Sequence, residues 1–422
     1  MKSWIKQSCW ASIVSFTVLT PSIALVAEEQ KDLIEKARSI HKRVITIDTH
    51  VDIPPNFGTE AYNIMRTKRP GQQVDLIGME SGGLDAAFFI VFVPQGDRTD
   101  LGYAKAFRDA FNKFHAIRRM TDVQFPKKIG LALTAKDVRR LHVEGMRAAL
   151  IGIENGYTIG RQIELLNVYH QLGARYLGIL HNGHNDLGDS AVPNRRRREA
   201  LTEFGGLSDL GRAVVKRCNE LGIMVDVSHS AMSTTLDVIA ASETPVIASH
   251  SGVRALQNHP RNLTDEALVA LKDKGGLAQI VAFDSYLRKV PEEKQAAIAN
   301  LRSEMNLTSF SDFANLTEAE LATYYALTAE IELEWPKASV KDLANHIEYA
   351  VNMIGIDHVG ISSDFNGGGG IMGWNNADET LNVTIELVRR GYSEQQIEKL
   401  WGGNLLRVME TVQVYAASRQ ES

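Results

Sequence analysis

The segment Val44-Ile45-Thr46-Ile47-Asp48-Thr49-His50-Val51-Asp52 is the strongest indication of the fold in this sequence. Its apolar, β-branched first part is typical of a buried strand, and the stretch ends in a His-x-Asp pair. Side chains two positions apart on a strand point to the same side, so His50 and Asp52 can share one metal ion. Barrel enzymes keep their chemistry at strand ends of this kind.

Apolar runs alternate with helical patterns along the rest of the chain, which predicts βα units and a parallel sheet. Eight strands with intervening helices favour a (β/α)8 TIM-like barrel, and 422 residues leave room for insertions. An open doubly wound sheet is the alternative, but no Gly-x-Gly-x-x-Gly motif opens a helix after the first strand. The expected strands cover residues 44–48, 85–93, 148–153, 176–180, 223–228, 245–249, 276–283 and 358–362.

The longest insertion is expected at about residues 286–341, between the seventh and eighth of these strands. It is rich in Glu, Ala, Leu and Lys, with Pro291 and Pro336 near its ends. Because it follows a strand at its carboxyl end, we expect helices that cover part of an active-site mouth. A solvated helical appendage is the alternative.

The N-terminus has the pattern of a secretory signal. Lys2 and Lys6 precede a short apolar stretch, and the small residues up to Ala24 are those that a signal peptidase reads. We therefore expect a signal peptide at residues 1–24, a single metallohydrolase barrel domain at residues 25–422, and an exported protein, with a bacterial periplasm favoured. An uncleaved anchor is the alternative, although the apolar stretch is short for a membrane span.

Charge and cysteine content narrow the choice of partners. A formal net charge of −5 gives no reason to expect nucleic acid or an acidic membrane surface. The run Arg195-Arg196-Arg197-Arg198 has no interleaved aromatic residues and is interpreted as a solvated loop. Of the two cysteines, only Cys218 remains after cleavage at Ala24, which excludes an internal disulfide.

Polar residues that bind metals or transfer protons stand where several of the apolar runs stop. One such residue is more often a hydrogen-bonding histidine or a helix N-cap than a functional group. Their coincidence at strand ends that converge on one rim of a barrel is what favours a site. Besides His50 and Asp52, these residues are Glu154, His181, His229, His250 and Asp364.

The number of candidate ligands favours two metal ions. One catalytic zinc uses three protein ligands and a water molecule, fewer than this chain offers. With Glu154 as a bridge, His50 and Asp52 would hold one ion, and His229 and His250 the other. Nitrogen-rich ligation favours zinc over magnesium or calcium, and a hydroxide held between two ions ~3.5–4 Å apart would be the nucleophile.

Arg261, in His259-Pro260-Arg261-Asn262, is a candidate clamp for a substrate carboxylate, because guanidinium binds carboxylate through paired hydrogen bonds. By sequence alone, an arginine in such a loop is more often solvated.

These motifs together resemble the renal or membrane dipeptidases, a zinc metallopeptidase family within the amidohydrolase-like barrels. The resemblance runs from about residue 37 to residue 412 and depends on the order and spacing of many motifs. The segments that carry it are 47–54, 150–156, 180–182, 185–186, 225–229, 246–251, 261–262, 359–365 and 403–408.

The resemblance implies a homodimeric barrel that holds two zinc ions per subunit, cleaves small dipeptides and tolerates a D-residue at their C-terminal position. Thr49, Val51 and Asn366 depart from the family pattern, which leaves hydrogen bonding around the metals and substrate preference open. The implied roles are metal ligation for His50, Asp52, Glu154, His229 and His250, substrate binding for His181, Arg261 and Asp364, and catalysis for Asp364 and Glu154.

Two other functions stay open. The first is another amidohydrolase, acting on cyclic amides, lactones or phosphotriesters; many of these begin with His-x-His and use a carbamylated lysine, where this chain has His50-x-Asp52 and Glu154. The second is a catalytically silent peptide-binding barrel. Asp364 argues against the second, because binding alone needs no proton shuttle.

Overall fold

The computed structural model describes residues 20–59, 62–65, 69–307 and 310–420. Eight parallel strands follow one another in the order β1-β2-β4-β5-β6-β7-β8-β9, and β3 pairs with the first half of β4. The strands are β1 (Ile47–Asp52), β2 (Ala86–Phe92), β3 (Ile129–Leu131), β4 (Arg147–Glu154), β5 (Ala174–Gly178), β6 (Met224–Asp226), β7 (Val246–Ser251), β8 (Leu277–Val281) and β9 (Val359–Ser362).

The first and last strands come together just beyond the end of β9. Val51 forms a parallel bridge with Phe365, and the Asp52 amide donates to the Phe365 carbonyl at 2.9 Å. The sheet is therefore a nearly closed barrel, and the TIM-like fold expected from the sequence is confirmed. All residues of β1 are buried, as expected for a strand inside such a barrel.

Helices surround the sheet and alternate with its strands. They are α1 (Thr20–His41), α2 (Leu76–Gly82), α3 (Asp100–Arg119), α4 (Ala135–Val143), α5 (Leu165–Leu172), α6 (Asp209–Leu221), α7 (Met232–Ala241), α8 (Asp265–Asp273), α9 (Asp284–Leu287), α10 (Glu292–Glu304), α11 (Glu318–Glu334), α12 (Val340–Ile354), α13 (Leu381–Arg389), α14 (Glu394–Glu398) and α15 (Asn404–Gln420). Within the described residues, no helix has the length and apolarity needed to cross a membrane.

Side chains fill the amino end of the barrel. Ile47, Met224 and Leu277, each the first residue of its strand, belong to one buried cluster with Leu405 and Met409 of α15. Helix α15 therefore closes the amino end, and the carboxyl ends of the strands are left for a site.

Most observed strands differ from the predicted ones by one to three residues at an end, and two differences are larger. The predicted first strand stopped at Asp48, whereas β1 begins at Ile47 and continues to Asp52, because its last residues pair with β2. The three-residue strand β3 was not predicted, since so short a run carries too little periodic signal.

The long insertion between β8 and β9 is helical, as predicted, and contains α9, α10 and α11. Most of the predicted signal peptide, residues 1–19, lies outside the described residues. The described helix α1 includes position 24, and the domain limits 25–422 stay a prediction.

Candidate metal centre

The predicted ligands come from four strands or the turns that follow them. His50 and Asp52 are in β1, Glu154 is the last residue of β4, and His250 is in β7. His229 follows β6 by three residues. All five are buried and lie at the carboxyl end of the barrel.

Two site residues have an unusual backbone. His229 and Asp364 have φ angles of 69° and 58°, in the left-handed region that costs a non-glycine residue about 1–3 kcal/mol. The turn at His229 is supported by the Ser230 amide, which donates to the Val227 carbonyl at 3.0 Å. Such strain clusters at functional sites, where it directs a side chain that a regular turn would point elsewhere.

One group of ligand atoms surrounds the His50 ring. Its Nε2 lies 3.6 Å from Asp52 Oδ2, 3.6 Å from Glu154 Oε2 and 3.9 Å from Asp364 Oδ1. The alternation of side chains along β1 explains why His50 and Asp52 face the same point. Asp364 joins them because β9 ends beside β1.

The second group surrounds the other oxygen of the Glu154 carboxylate. Glu154 Oε1 lies 3.0 Å from His229 Nε2, 3.4 Å from His250 Nε2 and 4.0 Å from His181 Nε2. The two imidazole nitrogens of His229 and His250 are 3.0 Å apart. One carboxylate is therefore shared between two clusters of ligand atoms.

The His50 ring fits a metal ligand. Its Nδ1 is 2.9 Å from the Tyr176 hydroxyl, which itself donates to the Thr49 carbonyl at 3.2 Å. Nδ1 therefore carries a hydrogen, and Nε2 is the nitrogen that faces the carboxylates and would bind a metal in place of a proton. Among the residues that the structure describes, this buried Nε2 has no hydrogen-bond partner, which is costly unless it binds a cation.

The other two histidines are oriented in the same way. His250 Nδ1 lies 2.8 Å from Ser249 Oγ, and that hydroxyl donates to Asp226 Oδ2 at 2.7 Å. His229 Nδ1 lies 3.1 Å from Asn182 Oδ1. In each ring Nε2 is directed at Glu154, the arrangement by which proteins fix the orientation of metal-binding histidines. These residues fit a pair of divalent cations.

Burial and neighbouring charges set the protonation of the ligands. Burial lowers the pKa of His229 and His250 well below the ordinary value, with nearby cationic groups acting in the same direction. Their imidazoles are therefore neutral, the form that binds metals. Burial opposes a charge on Glu154, but the Coulombic effect of His50 and the hydrogen bonds from His229 and His250 outweigh it and hold the pKa of the carboxyl well below its usual range.

Asp364 has the opposite environment. Burial raises its pKa well above the ordinary value; His50 partly opposes this rise, and the Asp52 carboxylate adds to it. A carboxyl group with a raised pKa, 3.9 Å from His50 Nε2, has the properties of a proton donor and acceptor.

Arg261 is buried rather than solvated, which the sequence alone did not favour. Its Nη2 donates to the His250 carbonyl at 3.2 Å, and its guanidinium lies 5.4 Å from the centre of the Tyr286 ring. Within the described part of the chain, the Arg261 Nε has no hydrogen-bond partner. A buried cation with an unused donor beside the second ligand group is suited to an anionic ligand.

His181 lies at the mouth of the site. Its ring centre is 4.2 Å from that of His229 and 4.5 Å from that of Phe92. Burial lowers the pKa of His181, so its imidazole is neutral and can donate one hydrogen bond. The structure thus brings all the predicted site residues together at one end of the barrel.

Sequence reasoning missed the residues that support the ligands. Asp48 accepts from the amides of His50 and Ser363 at 3.2 and 2.9 Å, and burial raises its pKa to about 6. Asp226 supports Ser249 in the same way. A carboxylate inside an apolar run signals such a role, because a buried carboxylate needs donors. Tyr176 carries no comparable signal in the sequence.

Comparisons with known proteins agree on one family. The family model for membrane dipeptidase, peptidase family M19, matches residues 34–422. Dipeptidase ataJ of Aspergillus terreus is 31% identical over 414 residues, covering 93% of this chain and 90% of that protein. Dipeptidase aclJ of Aspergillus oryzae is 31% identical over 352 residues, covering 82% of this chain and 71% of that protein.

One solved structure shows the same relationship, and a more distant one shows the same fold. The crystal structure of the probable dipeptidase PvdM from Pseudomonas aeruginosa has a TM-score of 0.80 and 34% identity, covering 92% of this chain and all of that one. A metallopeptidase from Rhodobacter sphaeroides, liganded with a phosphinate mimic of the dipeptide L-Ala-D-Ala, has a TM-score of 0.65 and 21% identity, covering 87% and 99%. The chain therefore belongs to the membrane dipeptidase family, peptidase family M19, and is a metal-dependent dipeptidase.

Proposed function

We propose that this protein is a binuclear zinc dipeptidase in which Glu154 bridges the two ions. The observation that carries the proposal is the division of the Glu154 carboxylate, with Oε2 beside His50 and Oε1 beside His229 and His250. His50 and Asp52 would hold one ion, and His229 and His250 the other. Four of these five side chains supply three imidazole nitrogens and a bridging carboxylate, a set that suits zinc.

When bound, the ions would supply a hydroxide nucleophile near neutral pH and polarise the scissile carbonyl. Asp364 would accept the proton of the attacking water and donate it to the leaving amine, a role that its raised pKa supports. His181, neutral and at the mouth, would donate a hydrogen bond to the oxyanion of the tetrahedral intermediate.

Arg261 would bind the C-terminal carboxylate of the substrate. Its burial and its unused Nε favour a paired, charge-assisted hydrogen bond over a solvated interaction. Because a fixed clamp lies beside the His250 ligand, only a short peptide would place its scissile bond at the metals. The role of Arg261 thus favours dipeptides over longer chains.

Three further features belong to the same proposal. The N-terminal signal pattern supports export, and the family resemblance supports a homodimer. The resemblance also supports L,D-dipeptides as substrates, in line with the L-Ala-D-Ala mimic held by the Rhodobacter sphaeroides relative.

Metal analysis of the purified protein, joined to a stereochemically varied dipeptide assay, tests the proposal. We expect two zinc ions per chain and hydrolysis of both L,L- and L,D-dipeptides, with no activity after chelation and recovery on adding zinc. Full activity without metal would contradict it. A panel of lactones, cyclic amides and phosphotriesters provides the control, since faster turnover of any of these would favour another amidohydrolase function.

A further inference from the structure

A lysine that the proposed mechanism does not use lies beside the site. Lys113 is in α3, and its Nζ donates to the Ile53 carbonyl at 2.8 Å. Ile53 directly follows the Asp52 ligand. The ammonium is also 5.6 Å from the centre of the Phe92 ring. The centres of the Phe92 and His181 rings are 4.5 Å apart. The Lys113 ammonium is therefore part of the rim around the metal centre.

This ammonium has no protein carboxylate at ion-pair distance among the residues that the structure describes. Its one hydrogen bond to a described residue is to a neutral carbonyl, although an ammonium has three donors. Burial lowers the pKa of Lys113, while Asp52, Glu154 and Asp109 at longer range favour the charge. A partly buried cation with free donors is suited to bind an anion that enters the site.

Lys113 and Arg261 lie on opposite sides of the barrel. Lys113 contacts the ends of β1 and β2, whereas Arg261 contacts the end of β7, four places away from β2 in the ring of eight strands. A dipeptide with its C-terminal carboxylate on Arg261 would extend across the metals, and its first residue would lie toward Lys113. Phe92 would contact the aliphatic part of that residue.

We propose that Lys113 is a specificity residue that selects an acidic side chain on the first residue of the dipeptide. The proposal rests on the proposed function, because the direction of the substrate follows from the role given to Arg261. The ammonium would bind the side-chain carboxylate of an N-terminal Glu or Asp by a charge-assisted hydrogen bond.

The test compares two nearly isosteric substrates, L-Glu-L-Ala and L-Gln-L-Ala, by kcat/KM on the zinc-loaded enzyme. The wild-type protein should prefer the Glu dipeptide by about tenfold, a modest value for one charged hydrogen bond. Lys113→Gln should remove that preference by lowering kcat/KM for Glu-Ala about tenfold more than for Gln-Ala. Lys113→Arg, which keeps the charge, should retain part of the preference.

Lys105→Gln is the matched control, because Lys105 lies on the same helix, is 64% exposed and pairs with Asp109. Equal use of the two dipeptides by the wild-type enzyme would overturn the proposal, even if Lys113→Gln failed to fold. An equal fall for both dipeptides in Lys113→Gln would also overturn it and indicate a structural role. Hydrolysis of neither dipeptide by the zinc-loaded wild type would instead count against the dipeptidase function itself.

Discussion

Glu154 is the residue on which both halves of the site depend. Its carboxylate is buried at the end of β4, with His50 beside one oxygen and His229 beside the other. The histidines around it are held by partners on their other ring nitrogens. The proposed metal binding therefore depends on the direction in which each histidine Nε2 points.

Glu154→Gln should remove metal and activity together. The amide loses the charge and one acceptor oxygen, so the two proposed ions would lose their common ligand. We expect fewer than two zinc ions per chain and a fall in kcat/KM of more than about 100-fold, since changes beyond the ligands already cost about 10- to 100-fold. Elemental analysis and a dipeptide assay on the same sample would check this, and full zinc content in the variant would contradict it.

Ser249→Ala should weaken binding of the ion that His250 is proposed to hold. The Ser249 hydroxyl joins His250 Nδ1 to Asp226, so its removal frees the ring to rotate. Zinc affinity, measured by competition with a chelator, should fall about 10- to 100-fold. Ser233→Ala, which removes an exposed hydroxyl on α7, is the control; the same affinity in both variants would exclude the orienting role.

At the scale of elements, strand pairing sets the position of the His50 ring. Gly152 of β4 pairs with Tyr176 of β5, and the lack of a side chain at Gly152 leaves space for the tyrosine ring. The ring then extends to His50, which is on another strand. The packing of β4 against β5 therefore sets the orientation of His50, a candidate metal ligand on β1.

Gly152→Ala should disturb both the barrel and the metal site. A methyl group there would lie 2.2 Å from Tyr176 Cζ, so the ring must move away from His50. We expect a loss of about 1–3 kcal/mol in the free energy of unfolding, as for other overpacked cores, together with weaker zinc binding. Tyr176→Phe separates the effects, because it removes the hydroxyl without a clash; stability and zinc affinity of both variants equal to wild type would refute this account.

At the scale of the whole molecule, residues from distant parts of the sequence are joined around His41. His41, at the end of α1, donates from Nε2 to the Gly82 carbonyl at 2.9 Å, and its Nδ1 lies 2.7 Å from the Thr384 hydroxyl of α13. The Trp401 indole donates to the same hydroxyl at 2.9 Å. This buried network attaches α1 to the outer helices.

His41→Gln should destabilise the protein mainly above pH 6.5. Burial lowers the pKa of His41, so on acidification the unfolded state takes up a proton at this position before the folded state does. The contribution of His41 is therefore present above pH 6.5 and declines below it, by at most about 1.4 kcal/mol per pH unit. Melting temperatures of the two proteins should differ most at pH 8 and converge toward pH 5; parallel curves would contradict the assignment.

The barrel and the candidate ligands could be predicted from the sequence. Hydrophobic periodicity is local, so strands and helices could be located within a few residues, and a parallel barrel necessarily gathers its strand ends on one rim. His50, Asp52 and Glu154 could be predicted because each stands at the end of an apolar run. The same reasoning placed the helical insertion before β9.

The residues that support the site, and the burial of its charged groups, could not be predicted from the sequence and are seen in the folded chain. Tyr176 is 126 positions from His50, and no local pattern indicates that the two side chains meet. Arg261 has the sequence context of a solvated loop residue, yet it is buried against the His250 carbonyl. The direction of a ring nitrogen and the burial of a cation depend on contacts between distant segments, and those contacts exist only once the chain has folded.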